Sequence, residues 1–141
     1  MILPEGYALE ARTPEVDECL SLRAVSGLSP RSREAAERGL PNTLFGVVIS
    51  HDGTAIGMGR IVGDGGGTFV IVDIAVDPSH QKRGLGKAIM DALHAWLEAN
   101  APDSAHVSLI ADGHARHLYA QYGFVDVGPK SIGMHYVKQS R

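Results

Sequence analysis

One cysteine, Cys19, is all the thiol chemistry this 141-residue sequence offers, so no disulfide can close within the chain and a core must hold the fold. No basic-then-apolar stretch opens it, and no apolar run nears the roughly 18 residues needed to cross a bilayer. Together these absences predict a protein of the reducing cytoplasm with no membrane partner. An excess of positive charge is missing too: 13 Lys and Arg against 16 Asp and Glu leave a formal charge of −3. Nucleic acids and anionic membranes are usually met by a basic patch, so no nucleic-acid partner is expected, and the balance mildly favours a cationic one. Repeats, linkers and low-complexity tracts are also absent. What remains is an ordinary composition, 44% apolar and 21% charged, which predicts a single domain over 1–141 with one core.

The order of elements follows from turn chemistry and apolar periodicity. Tyr7 to Ala11 reads as a strand, and Thr13-Pro14 as the N-cap and first position of a helix running to about Val25. A second, polar helix spans Arg33 to Arg38, with Ser32 before it and Gly39 past its end. Leu44 to Ser50 and Ala55 to Val62 form a hairpin across Asp52-Gly53. The cluster Gly63-Asp64-Gly65-Gly66-Gly67 turns the chain into a long strand, Phe69 to Val76; it reads as a flexible turn rather than a ligand cradle. Leu85 to Ala101 is strongly amphipathic, with Leu85, Ile89, Leu93, Trp96 and Leu97 on one face. His106 to Ile110 follows as a strand, and a strand-helix-strand unit of this length implies a parallel pair. A short helix, Gly113 to Tyr122, and two strands, Phe124 to Val127 and Ile132 to Lys138, complete the chain. The class is a mixed α/β (α+β) sheet, mostly antiparallel with one parallel pair, flanked by helices.

Between the long strand and the amphipathic helix lies Gln81-Lys82-Arg83-Gly84-Leu85-Gly86-Lys87. A helix N-terminus offers unpaired N–H groups and partial positive charge, and glycines let an anion reach the backbone. Two common phosphate motifs fail here. A P-loop needs Gly where Gln81 stands and Ser or Thr where Ala88 stands; a dinucleotide fingerprint needs a small residue where Ile89 stands. The pattern that does fit is Gln/Arg-x-x-Gly-x-Gly/Ala after a strand. In this, in the strand segment Asp73-Ile74-Ala75-Val76-Asp77-Pro78, and in Ala115-Arg116-His117-Leu118-Tyr119-Ala120-Gln121-Tyr122-Gly123-Phe124, the sequence resembles the GCN5-related N-acetyltransferase (GNAT) family. The order of elements is similar over nearly the whole chain.

The resemblance implies acetyl-CoA as co-substrate, lying where two parallel strands, Phe69 to Val76 and His106 to Ile110, splay apart. It implies a pyrophosphate on the loop Gln81, Lys82, Arg83, Gly84, Leu85, Gly86 and Lys87, and a pantetheine arm paired with the backbone of Ile74, Ala75 and Val76. Further contacts to the arm are implied at Asp112 and Ala115, although the family often has Asn where Asp112 stands, which leaves that contact open. Tyr119 is the implied proton donor to the departing thiolate. Its reference pKa of about 10 lies above the thiol's value of about 8.5, so it is protonated when the thiolate forms. A packing role beside Tyr122 and Phe124 is the alternative.

No general base is legible. Val70, Val72 and Ile74 alternate onto one strand face and are apolar; Asp73 has the opposite parity and is a weak candidate for the base that reads rather as a structural hydrogen-bond acceptor. Asp64, Asp112 and a water chain stay open. His114 and His117 lie i,i+3 on a helix, but no completing ligand pattern surrounds them, so no metal is expected. Val25 to Pro30 and Pro129 to Met134 would shape the acceptor pocket. The expected activity is acetyl transfer to a primary amine of a small molecule, with polyamines, amino sugars and amino-acid derivatives as candidates. A protein-lysine or N-terminal acceptor, and a non-catalytic acyl-CoA sensor, are the alternatives, and a homodimer is left open.

Overall fold

A computed structural model describes residues 3–138. The chain forms two compact units, one ending at Leu109 and the other beginning at Ile110. The first carries β1 (Tyr7–Glu10), α1 (Val16–Val25), α2 (Arg33–Gly39), β2 (Phe45–His51), β3 (Thr54–Gly63), β4 (Thr68–Val76), α3 (Leu85–Asn100) and β5 (His106–Ser108). The second carries α4 (Ala115–Ala120).

The five strands form one sheet in chain order, every neighbour antiparallel except the parallel pair β4–β5. The mixed-sheet class is therefore as expected. Asp52 and Gly53 both take positive φ, 48° and 82°, which suits the right-handed twist of a two-residue hairpin. In the glycine cluster the Asp64 carboxylate accepts from the amides of Gly66 and Thr68 at 2.8 and 3.0 Å, so this aspartate serves the turn.

Two helical layers cover the sheet. On one face α3 buries Leu85, Ala88, Ile89, Met90, Leu93 and Leu97, each large side chain contributing about 1.5–3 kcal/mol by leaving water. The helix sits so close to β3 that a Cβ on Gly59 would lie 2.6 Å from Ile89 Cγ2. Trp96 extends this layer by stacking on Phe45, ring centroids 5.5 Å apart. On the other face Cys19, Leu22, Ala36 and Leu40 from the α1–α2 region pack with Met58 and Ala75 of the sheet.

Several boundaries depart from the sequence reading. Helix α1 starts at Val16 rather than at Thr13-Pro14, and the Glu15 amide donates to the Glu18 carboxylate at 2.8 Å. Arg12 and Thr13 press on the backbone of Gly46, where a Cβ would lie 2.9 Å from Arg12 O, so the chain turns into helix only after leaving the sheet. Strand β5 stops at Ser108 instead of Ile110 because its register covers only Thr68–Val70 of β4. The ends of the expected Gly113–Tyr122 helix are i to i+3 turns, including Tyr122 N to Tyr119 O at 2.9 Å. No strand forms over 124–127 or 132–138. Val125, Val127, Ile132, Met134 and Tyr136 are all exposed; β-propensity expresses packing on a half-buried surface, and these side chains have none. Among the described residues, no helix is long and apolar enough to cross a membrane.

Candidate functional site

The site is built from the far end of β4 and the loop that follows it. Asp77 N donates to Ile56 O at 2.8 Å, which ties the strand end to β3. Its carboxylate accepts from the Ser79 amide and hydroxyl at 2.9 and 2.7 Å, closing a short 3-10 turn over Pro78–His80. Gln81 Nε2 then donates to Val76 O at 3.1 Å. The glutamine side chain thus braces the loop against the strand. Lys82 and Gly84 take left-handed backbone angles, φ 64° and 79°, and Gly84 is the N-cap of α3 with no side-chain capping bond. Alternating conformations of this kind turn successive amides to one side, and the amides of Leu85 and Gly86 are left for an external acceptor. Lys82 and Arg83 are exposed with no ionic partner among the described residues. Leu85 is buried in the core, so only its backbone belongs to the loop surface. Lys87 is exposed, with Asp91 3.3 Å from its ammonium.

Strand β4 supplies the second component. It pairs with β5 only over Thr68–Val70, so the edge from Ile71 to Val76 pairs with no strand among the described residues, a length of roughly 20 Å at about 3.3 Å per residue. In the antiparallel ladder with β3, the bonded pair Ile56 and Asp77 fixes the alternation: Ala75 turns its backbone groups to β3, and Ile74 and Val76 turn theirs to the open edge. The side chain of Ala75 is buried in the α1 layer.

Between Val72 and Ala75 the register shifts. Asp73 is the bulged residue, held at φ 57°, a conformation that Asp tolerates better than most residues. Strict alternation fails at this point. Asp73 lies on the same face as Arg60, the partner of Val72, while Ile74 turns to the α3 face, where it flanks Gly59; the parity assigned from sequence is corrected accordingly. The buried carboxylate is surrounded by guanidiniums: Arg23 Nη1 at 2.6 Å, Arg60 Nε at 2.8 Å and Arg31 Nη1 at 3.1 and 3.2 Å. Burial alone would push the Asp73 carboxyl up, but Arg31, Arg60 and Arg23 outweigh it and hold it below the ordinary carboxylate range. Asp73 therefore stays ionised and is poorly suited to take a proton. Arg23 Nη2 also donates to Ser29 O and Oγ, at 2.5 and 3.1 Å, which pins the loop between α1 and α2. Nearby, the Cys19 thiol is pushed up by burial and by Asp73, so it remains a thiol.

In the second unit Tyr119 lies in the last turn of α4 and is buried. Its ring meets Phe124 edge to face at 6.4 Å. Burial, then the nearby Asp112 carboxylate, raises the phenol above its ordinary value. Asp112 O accepts from the amide of Ala115 at 3.1 Å. The His114 and His117 rings stack at 6.0 Å; among the described residues no group of three or more His, Cys, Asp or Glu is placed to hold a metal.

A profile of the acetyltransferase (GNAT) domain matches residues 23–136. The chain belongs to the GNAT acetyltransferase family. It is similar, at 43% identity and a TM-score of 0.89, to a protein of unknown function from meticillin-resistant Staphylococcus aureus described as a probable acetyltransferase; the match covers 94% of this chain and 99% of that one. It is 28% identical over 140 residues to the GCN5-related N-acetyltransferase 1, chloroplastic, of Arabidopsis thaliana, covering 96% of this chain and 70% of that protein. A GNAT family acetyltransferase from Streptococcus pneumoniae shares the fold, with a TM-score of 0.75 at 21% identity over 95% of this chain and 99% of that one.

GNAT acetyltransferases typically use acetyl-CoA, and the residues present fit it. The uncapped start of α3, the left-handed Gly84, the two exposed cations and the unopposed β4 edge offer donors for a pyrophosphate and an extended partner for an amide-bearing arm. Sequence reasoning missed the arginine cluster. Its one signal was an aspartate inside the apolar run Val70-Ile71-Val72-Asp73-Ile74, but Arg23 and Arg31 lie 50 and 42 residues away along the chain.

Proposed function

We propose that this GNAT protein transfers the acetyl group of acetyl-CoA to a primary amine of a small molecule. The observation that carries the proposal is the uncapped N-terminus of α3, set after a strand edge that pairs with no strand beyond Val70 among the described residues. In this reading the amides of Leu85 and Gly86, with Lys82, Arg83 and Lys87, receive the pyrophosphate. The backbone of Ile74 and the Val76 amide pair with the pantetheine arm, Gln81 holds Val76 O at the strand end, and Ala75 anchors the strand in the core behind. Asp112 and Ala115 are the further contacts that the family resemblance implies for the arm. The bound thioester supplies an activated acyl group; the amine must reach it uncharged, and Tyr119, protonated through the neutral range, gives its proton to the leaving thiolate. With Asp73 locked among guanidiniums, the proton of the amine leaves by way of water. We also assign the protein to the cytoplasm, which the lone buried thiol of Cys19 supports.

The test is release of free CoA with a panel of small amines, lysine peptides and free N-termini. Turnover with small amines is expected, rising with pH as the amine loses its proton. Turnover with peptides alone would move the acceptor to proteins, and binding of acetyl-CoA without turnover would make the chain a sensor.

A further inference from the structure

We infer that the guanidinium cluster around Asp73, through Arg31, recognises an anionic group on the acceptor, so that the substrate is an amine that also carries a carboxylate or phosphate, an inference that rests on the acetyltransferase reading above. Among the described residues, three guanidiniums face a single carboxylate, leaving two positive charges in excess. The other groups they touch, Ser29 and Thr43, are neutral. The acids of α1 are engaged elsewhere, Asp17 with Arg33 and Glu18 with Arg12. Uncompensated charge beside a core is costly, and an anion removes that cost. The donors for one are present. Arg23 Nε is buried and has no hydrogen-bond partner among the described residues. The Arg31 side chain keeps 32% of its surface exposed while that of Asp73 keeps 1%, and its bonds to Asp73 use Nη1 alone. Its Nε and Nη2 can therefore fork onto a carboxylate or phosphate.

The place is right for an acceptor. A pantetheine arm that starts at the α3 loop and pairs with Val76 and then Ile74 brings its thioester end to the bulge at Asp73. The cluster sits on the α1 side of that bulge, beneath the loop that Arg23 pins through Ser29. An acceptor anchored there by its anion would present its amine at the end of the arm. The overall acidity of the chain suggested a cationic acceptor; the local charge points the other way.

The experiment compares kcat/KM for matched acceptors: α-amino acids with their carboxamides, amino-sugar phosphates with the unphosphorylated sugars, and a diamine. The anion-bearing member of a pair is expected to win by roughly 10-fold to 100-fold, the scale of a charge-assisted hydrogen bond, and the winning pair separates carboxylate from phosphate. In R31Q that ratio should collapse toward one, and in R31K part of it should return. Equal rates within each pair, a preference for the diamine, or an unchanged ratio in R31Q would overturn the inference. A second readout does not need turnover: inorganic phosphate at constant ionic strength should raise the melting temperature of the wild type more than that of folded R31Q. If no amine is acetylated, the acetyltransferase reading fails, while a phosphate shift that depends on Arg31 still supports the anion site and an equal shift overturns it.

Discussion

Asp73 illustrates how one side chain can be read two ways at the residue scale. From the sequence it is an acceptor or a weak candidate for a base; in the fold it is the counter-ion of Arg23, Arg31 and Arg60. Asp73→Asn should destabilise the protein by roughly 3–5 kcal/mol in urea unfolding, because three guanidiniums lose the one carboxylate they meet among the described residues. Its folded pKa is depressed, so its contribution is present above the unfolded value of about 3.9 and is lost as pH falls through the folded one. The wild type should thus show an acid-induced loss of stability below about pH 4 that the Asn variant shows less of. Tyr119 is buried with its ring edge to face on Phe124, so packing and proton donation must be separated by a variant that keeps the ring. Tyr119→Phe should keep the affinity for acetyl-CoA and lower the single-turnover rate by roughly 10²-fold to 10⁴-fold. A rate equal to the parent's would leave Tyr119 as a packing residue.

At the scale of elements, what was legible followed from local physics. The apolar stripe of α3, the Asp52-Gly53 hairpin and the Ser32 cap of α2 are each written in a few neighbouring residues, and each formed where expected. What was not legible depended on distant partners. Two strands were expected over 124–127 and 132–138 because alternating apolar residues suit a pleated surface, yet no described strand accepts them. The bulge at Asp73 likewise depends on a register shift against β3 and on arginines from α1 and from the segment before α2. The loop before α3 lies between these extremes: its glycines and cations were readable, but the use of Gln81 to brace Val76 was not. Gly84→Val places a β-branched residue at φ 79°, where only glycine is unstrained. Titration calorimetry should show acetyl-CoA binding weakened by about tenfold or more, the worth of one charge-assisted bond, in a variant whose circular dichroism and melting remain cooperative. Unchanged affinity would remove this loop from the phosphate site.

For the whole molecule, the family and the sheet order were legible because they rest on motif spacing and on the succession of elements, both of which survive errors of a few residues at boundaries. The acceptor was not, since the charges that would select it converge from α1, the segment before α2, β3 and β4. The most direct measurement is a single-turnover reaction with acetyl-CoA labelled in the acetyl group and a primary amine in excess, followed by mass spectrometry. The label should appear on the amine nitrogen with free CoA in equal amount. Label recovered only as intact acetyl-CoA, or only as free acetate, would contradict acetyl transfer to an amine.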